Sequence, residues 1–183
     1  MKGFTRTHTE FSLCGLACLL CPMQVGGYCP GCGGGAGNQS CAIARCSLER
    51  GGLAFCSDCA LYPCPRYGEF DAADSFVPHS RRAADLALAK EMEWDAWLAR
   101  LRQKRAILDQ LLAAWNDGRR KSLYCAAAYL LEPEALHRVM EALAAQSDLA
   151  TAPVKDKARA AAALLQAEAE QAGVSLKLNK GKE

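Results

Sequence analysis

The sequence predicts two unlike parts. A small, metal-stapled, irregular cysteine-rich domain over residues 1–77 is followed by an all-α helical domain with one long helix over residues 78–183. Ten of the eleven cysteines lie between Cys14 and Cys64, and twelve of the fifteen glycines precede residue 78. Beyond that point apolar residues recur with the period of an α-helix.

The first half is rich in glycine and has few long periodic segments. Ordering such a chain costs more conformational entropy than ordering other chains. A small domain without a large apolar core usually depends on disulfides or metal ions for its stability. No apolar signal core precedes Cys14, so we expect a cytoplasmic location, where clustered cysteines serve as metal ligands or redox groups more often than as disulfides.

Composition argues against two classes of partner. The formal net charge is only +2, which gives no reason to expect a nucleic-acid partner. Charges interrupt every alanine-rich stretch, so no run of about 20 apolar residues is available to span a membrane. We therefore expect no membrane association.

The ten cysteines of the first half fall into four groups with the short spacings that are typical of metal ligands. In chain order they are Cys14, Cys18 and Cys21; Cys29 and Cys32; Cys41 and Cys46; and Cys56, Cys59 and Cys64. The segments CPGC and CSDC each place two thiolates in one turn, where both can reach one ion while backbone amides point at the sulfurs. All ten are therefore predicted metal ligands, most simply for two zinc ions.

Spacing shows which thiols are neighbours but not which groups converge. The most defensible pairing joins Cys29 and Cys32 with Cys56 and Cys59, because both are C-x2-C turns. The second site would then combine the first group with one thiol from a set of three: Cys41, Cys46 or Cys64. Interleaved pairings remain open.

Two other uses of these thiols remain open. Prolines follow Cys21, Cys29 and Cys64, as at the ends of ferredoxin ligand runs, so iron–sulfur ligation is an alternative to zinc. The compact C-x2-C-x2-C-x3-C run of ferredoxins is absent, which favours zinc. A C-x2-C thiol–disulfide couple is the third reading, but the βαβ pattern that usually accompanies it is missing.

The second half begins with a predicted helix of about ten turns, RRAADLALAKEMEWDAWLARLRQKRAILDQLLAAWN. Its apolar face follows from four residues that recur every seven positions: Trp94, Leu101, Leu108 and Trp115. Lys104 and Arg105 interrupt that face. Gly118 is the expected cap at its end.

Three more helices follow. RRKSLYCAAAYLL forms the next one, Pro133 suits the first turn of PEALHRVMEALAAQ, and Gly173 stops KDKARAAAALLQAEAEQA. In the tail, Val174, Leu176 and Leu178 alternate with polar residues. That alternation predicts either a short strand or an extended segment packed on helices.

Two features of the second half concern function. Arg119, Arg120 and Lys121 meet the start of a helix, so a phosphate, a carboxylate or an acidic partner is a possible ligand there. A surface hinge is the favoured interpretation. Cys125 lies within a helical apolar segment, where we expect a small core side chain rather than a ligand.

The order of the motifs CGLACLLCP, CPGC, CAIARC and FCSDCALYPC resembles a bacterial family called domain of unknown function 3795. The downstream segments NDGRRKSLYCAAAYLL and GVSLKLNK resemble its longer members, so the resemblance covers most of the chain. It implies a zinc-binding head with the ten cysteines as candidate ligands. It supplies no reaction.

These observations favour a zinc-binding protein that serves as a non-catalytic interaction or scaffold module for a protein partner. An iron–sulfur protein that carries electrons or senses redox state is the alternative. No Ser–His–Asp set or carboxylate pair is evident, so we lean against an enzyme. A zinc thiolate acting as a nucleophile, for example in methyl transfer, remains a third hypothesis.

Overall fold

The computed structural model describes residues 3–35 and 41–181, and within these ranges the regular structure is helical, with eight α-helices and no strand. The cysteine-rich half contains three short helices: α1 (Pro22–Val25), α2 (Ala42–Glu49) and α3 (Arg66–Phe70). Five longer ones follow: α4 (Arg82–Glu91), α5 (Trp94–Ala114), α6 (Lys121–Leu130), α7 (Pro133–Ala144) and α8 (Val154–Gln171). Short 3-10 turns lie at Cys18–Leu20, Cys56–Asp58 and Ser147–Ala150.

The helix of ten turns that the sequence predicts is instead two helices, α4 and α5, separated at Met92 and Glu93. α4 ends where the Met92 N–H donates to the Leu88 carbonyl, and Glu93 then takes a left-handed φ of 63°. A right-handed helix does not continue through such a residue. The apolar period runs across the break because both helices bury one face in the same core. α5 has 21 residues.

Helix α6 is the centre of the helical part. Every residue from Tyr124 to Leu130 is buried, because α5, α8, α1 and the Cys18–Leu20 turn all pack against this helix. The Tyr124 hydroxyl donates to the Trp115 carbonyl at 2.7 Å, which ties α6 to the end of α5. Cys125 is 1% exposed and belongs to this core, as its sequence context predicts.

The two cations that interrupt the apolar face of α5 have different roles. Lys104 is buried, and its ammonium group donates to the Tyr129 carbonyl at 3.1 Å. Arg105 reaches the cysteine-rich half instead, where its guanidinium donates to the Leu19 carbonyl at 2.9 Å and to the Gln24 side chain at 2.8 Å. The bond to Leu19 fastens the Cys18–Leu20 turn to α5, and the bond to Gln24 fastens α1 to α5.

A partly buried ionic network lies beside Lys104. Burial raises the pKa of Asp85 to about 6, although Arg81 and Lys104 both oppose the rise. Arg81 links Asp85, at 3.4 Å, with Glu132, at 2.8 Å. Glu132 also pairs with Arg100, so the network joins α4, α5 and the start of α7.

The cysteine-rich half shares its core with the helices. Phe11, Ala17 and Leu20 are buried within the same apolar cluster as α5, α6 and α8. A second, smaller cluster contains Phe4, Leu13, Cys14 and other residues of the first half. The division at residues 77 and 78 stays a prediction, but the main core extends across it.

Gly15 shows how closely the two parts approach. Its φ is +97°, and a Cβ atom at this position would lie 2.4 Å from the Arg82 carbonyl oxygen and 2.8 Å from the Leu86 side chain. Both contacts are on α4. Only glycine therefore fits where the first cysteine turn meets this helix.

The C-terminal tail is extended and forms no strand within the described residues. Leu176 is buried against the helical core, and Val174 packs at its edge. The Asp74 N–H donates to the Asn179 carbonyl at 2.7 Å, and the Asn179 N–H donates to the Asp74 carboxylate at 2.6 Å. The alternation thus reflects an extended segment packed on helices, one of the two predicted outcomes.

Gly15→Ala should destabilise the chain far more than Gly118→Ala. Both positions have a positive φ, but nothing lies within 4 Å of a Cβ atom at Gly118. The left-handed backbone costs about 1–2 kcal/mol at each position, and the clash with α4 should raise the cost at Gly15 to roughly 3 kcal/mol or more. Denaturant unfolding measures both losses, and equal losses would contradict the close contact between Gly15 and α4.

The buried ammonium group predicts a pH dependence of stability. Burial lowers the pKa of Lys104 from 10.5 to about 8, so the folded chain holds this proton less tightly than the unfolded chain. Wild type should therefore gain stability relative to Lys104→Met between pH 8 and pH 10, on the order of 1–2 kcal/mol. Urea unfolding of both proteins at both pH values gives this difference. Titration of the thiols affects both proteins equally, because they carry the same cysteines, and it therefore cancels.

Lys90→Met is the matched control, because Lys90 is an exposed lysine on α4. The stability difference between wild type and this variant should be the same at both pH values. A Lys104→Met difference that also stays constant would contradict the buried position of the Lys104 ammonium group.

Candidate functional site

Four cysteines line one pocket of about 320 Å³ in the first half of the chain. They are Cys46, Cys56, Cys59 and Cys64, and we call their site the four-cysteine pocket. Cys46 lies on α2, Cys56 begins the 3-10 turn Cys56–Asp58, Cys59 follows this turn, and Cys64 lies two residues before α3. The pocket therefore brings together thiols from three separate segments.

Backbone hydrogen bonds hold these elements in place. The Cys56 N–H donates to the Leu13 carbonyl at 2.9 Å, and the Cys59 N–H donates to the Cys56 carbonyl at 3.1 Å. The Asp58 carboxylate accepts the Phe55 N–H at 3.1 Å, which closes the turn from its other side. The turn that carries two of the thiols is thus fixed by local bonds and by the segment before Cys14.

The walls of the pocket are mostly apolar. Leu13, Ile43 and Tyr67 are buried and line it, whereas Leu61, which also lines it, is 58% exposed. In the described part of the chain, the charged side chains that line the pocket are two arginines, Arg50 and Arg66.

The electrostatics of the pocket disfavour free thiolates. Burial raises the pKa of Cys56 to about 11, against a hydrogen-bonding contact from Tyr67 that lowers it. Thiolates at Cys64, Cys46 and Cys59 raise the pKa of Cys56 further. Several thiolates can share this pocket only if a positive centre compensates their charge, which is what a bound metal supplies.

Arg50 interacts electrostatically with three of these four cysteines. Its pKa is raised by a hydrogen-bonding contact with Cys46 and by the charges of Cys59 and Cys64. The sequence analysis did not select Arg50. Its position four residues after Cys46, which is one helical turn along α2, was the signal that would have identified it.

A second set of cysteines lies deeper in the first half. We call it the inner thiol group: Cys14, Cys18, Cys32 and Cys41. Cys14 is 8% exposed and packs in the smaller apolar cluster, with Cys32 and Cys41 against that cluster. Arg6 positions Cys32, because the Arg6 N–H donates to the Gly33 carbonyl at 3.2 Å and its guanidinium donates to the Cys32 carbonyl at 3.3 Å.

The thiols of the inner group also oppose one another's ionisation. Burial raises the pKa of Cys14 to about 12, and the charges of Cys32 and Cys41 add to this rise. A contact with the Ser12 hydroxyl, 3.1 Å from the Cys14 sulfur, acts in the opposite direction. The pKa of Cys18 is raised by burial and by the charge of Cys32.

Cys21 and Cys29 lie outside both sets and influence each other. Burial raises the pKa of Cys21, with backbone contacts from Met23 and Gln24 opposing the rise and the charge of Cys29 adding to it. Lys121 lowers the same pKa from the start of α6. All ten predicted ligands are thus in or beside a thiol-rich region, and their role as ligands remains a prediction.

The grouping differs from the pairing that C-x2-C spacing favours. Cys56 and Cys59 face Cys46 and Cys64 rather than Cys29 and Cys32. Cys32 lies near Cys14 and Cys18 instead, because the N-terminal segment packs against the 29–35 loop. A Cβ atom on Gly31 would lie only 2.2 Å from the Thr9 carbonyl oxygen, which shows how tightly these two segments fit.

The thiols do not converge as single-ion ligands do. Within residues 3–35 and 41–181, no three His, Cys, Asp or Glu side chains are grouped closely enough to hold one metal ion. The metal, if any, that these cysteines hold stays a prediction.

The basic segment before α6 is largely engaged within the chain. Arg120 pairs with Asp117 at 3.6 Å, and the Lys121 ammonium lies 5.7 Å from the centre of the Tyr28 ring. Arg119 is exposed. These contacts agree with a surface hinge, and an anionic or acidic ligand at these three residues stays a prediction.

No family model, no curated protein and no solved structure matches the chain. The resemblance to domain of unknown function 3795 therefore remains a prediction. Among the described residues, no helix combines the length and the apolar character needed to cross a lipid bilayer.

The burial of Cys125 predicts that its thiol is unreactive in the native chain. Burial raises its pKa to about 12, and the thiolate is the form that reacts with alkylating agents. Iodoacetamide at pH 8 should leave Cys125 unlabelled in the native protein and label it in concentrated guanidinium chloride, as measured by peptide mass mapping. Labelling of the native chain at the denatured rate would contradict the core position.

Proposed function

We propose that the chain is an iron–sulfur protein whose cluster is held by Cys46, Cys56, Cys59 and Cys64, and that it carries electrons or senses redox state. The observation that carries this proposal is the four-cysteine pocket itself. Four thiols line one mostly apolar space of about 320 Å³. Four cysteine thiolates are the usual ligands of [2Fe–2S] and [4Fe–4S] clusters.

Size separates a cluster from a single zinc ion. Zinc binds thiolates at about 2.3 Å, so its four sulfurs must crowd around one atom. A cluster places several iron and sulfide atoms between its ligands and needs a correspondingly larger space. The arrangement of the pocket supports the cluster and reverses the order of preference that the sequence alone suggested.

The surroundings of the pocket also suit a cluster. Leu13, Ile43 and Tyr67 limit the access of water, and solvent exposure is one of the factors that set cluster potentials. Arg50 and Arg66 offer positive charge beside an anionic thiolate-ligated centre. A bound cluster would supply one-electron chemistry, while the chain holds it, shields it and balances its charge.

Zinc at the inner thiol group stays the sequence-based prediction, although among the described residues no three of these thiols are grouped closely enough to hold one ion. Cys14 is buried in an apolar cluster and Cys32 and Cys41 pack against it, which resembles the closed environment of structural zinc sites. A metal at this position would serve stability rather than chemistry. The proposal thus follows the alternative of the sequence analysis, an iron–sulfur protein, and keeps its expectation of a cytoplasmic location.

Metal analysis of the full chain, purified without oxygen, tests the proposal. We expect brown protein with visible absorption, iron and acid-labile sulfide in comparable amounts. Cys56→Ser should remove most of the iron and the visible absorption, because it removes one of the four proposed thiolate ligands. Cys125→Ser is the matched control, since this buried cysteine lies outside the pocket, and it should leave both unchanged.

Two results would overturn the cluster. One is colourless protein with zinc in place of iron and sulfide after strictly anaerobic purification. The other is a Cys56→Ser protein that keeps the full iron content of wild type while remaining folded by circular dichroism. The first result would restore zinc as the preferred metal for all ten cysteines.

A further inference from the structure

The hydroxyl group of Tyr67 is buried beside the four-cysteine pocket without a normal hydrogen bond. Tyr67 lines the pocket and is only 5% exposed, and its hydroxyl has no hydrogen-bond partner in the described part of the chain. Water satisfies the same hydroxyl in the unfolded chain, so its burial lowers the stability of the fold. A buried polar group of this kind therefore needs a reason other than stability.

The ring that carries this hydroxyl is held on several sides. Tyr62 meets it edge to face at 5.6 Å between ring centroids, and Phe70 does so at 6.1 Å. The Arg82 guanidinium carbon lies 3.8 Å from the centroid of the Tyr67 ring, and Arg82 is itself paired with Asp71. The hydroxyl therefore cannot turn to another acceptor without loss of these contacts.

Cysteine sulfurs lie beside this hydroxyl. Cys56 and Cys64 pack against the same small apolar cluster as Tyr67, and the Tyr67 N–H donates to the Cys64 carbonyl at 3.1 Å. Of these two cysteines, Cys56 is the one whose pKa the Tyr67 hydroxyl lowers. A neutral thiol accepts hydrogen bonds weakly, whereas a thiolate accepts them strongly because it is charged.

We propose that Tyr67 is a positioning residue whose hydroxyl donates a hydrogen bond to the Cys56 sulfur when a metal centre binds that sulfur. The inference rests on the proposed function, because it takes Cys56 as a metal ligand. Hydrogen bonds from outside the ligand set orient metal ligands and, in iron–sulfur proteins, help to set the reduction potential. Tyr67 keeps its proton throughout, so it adds a donor beside the centre and no charge.

Stability of the metal-free chain gives the first test. Tyr67→Phe removes the unpartnered hydroxyl, so we expect the ratio of folded to unfolded chain to rise roughly five- to tenfold. Tyr124→Phe is the opposing control, because the Tyr124 hydroxyl donates to the Trp115 carbonyl at 2.7 Å, and its loss should lower this ratio. Urea unfolding of the reduced full chain, stripped of metal by a chelator, measures both. An unchanged or lower ratio for Tyr67→Phe would overturn the inference.

Binding of Cd²⁺ gives the second test and needs no iron–sulfur cluster. This soft ion prefers thiolates, and it can bind two of them together with water, so the four sulfurs need not converge. Bound Cd²⁺ protects a cysteine from N-ethylmaleimide, and peptide mass mapping then gives the Cd²⁺ concentration that half-protects Cys56. Tyr67→Phe should raise this concentration about tenfold, because the bound thiolate loses a charge-assisted hydrogen bond.

Two controls isolate the hydroxyl. Tyr62→Phe should leave the protection of Cys56 unchanged, because Tyr62 lines the same pocket but its hydroxyl is not among the buried, unpartnered groups of the described chain. Protection of Cys32, in the inner thiol group, should be the same in wild type and in Tyr67→Phe. A merely structural role of Tyr67 would lower both stability and Cd²⁺ affinity, whereas the proposed role raises the first and lowers the second.

The failure of this inference differs from the failure of the cluster. A chain that gives both expected results but contains no iron and sulfide retains the role of Tyr67 and loses the cluster. A chain that contains iron and sulfide, but in which Cd²⁺ protects Cys56 equally in wild type and Tyr67→Phe, retains the cluster and loses the role of Tyr67. Absence of any Cd²⁺ protection of Cys56 in wild type would also overturn the inference.

Discussion

Burial of α6 from Tyr124 to Leu130 is the constraint on which the rest of the structure depends. Seven consecutive buried residues of a helix need cover from every direction, and α5 and α8 supply only part of it. The Cys18–Leu20 turn and α1 of the cysteine-rich half cover the remainder. The first half is therefore held where the helical core requires it, and Arg105 fixes the contact through the Leu19 carbonyl.

This attachment has a consequence for the thiols. The first half is rich in glycine and has only a small apolar cluster of its own. Its ordered structure therefore depends on the packing of Phe11, Ala17 and Leu20 in the helical core. The segment that contains Leu13 then links this shared core to the four-cysteine pocket, because the Leu13 carbonyl accepts the Cys56 N–H. Phe11 packs in the helical core and Leu13, two residues later, binds the turn that carries Cys56.

The electrostatic balance of the first half completes the picture. Burial raises the pKa of Cys14 and of Cys56, so both thiols are neutral in the chain without a metal. A bound metal would make them thiolates, balance their charge and cross-link the elements that carry them. Two arginines, Arg50 and Arg66, line the same pocket as these thiols.

The sequence by itself determined the concentration of cysteine in the first half, the helical character of the second half and the ten candidate ligands. These features depend on the helical period of the apolar residues, the spacing of the cysteines and the residues that form turns, all of which can be read from neighbouring positions in the sequence. Only the tertiary structure decided the break at Glu93, the burial of Lys104 and the grouping of Cys46 with Cys56, Cys59 and Cys64. Those features arise where distant segments pack together, and a one-dimensional pattern carries no record of which distant segments meet.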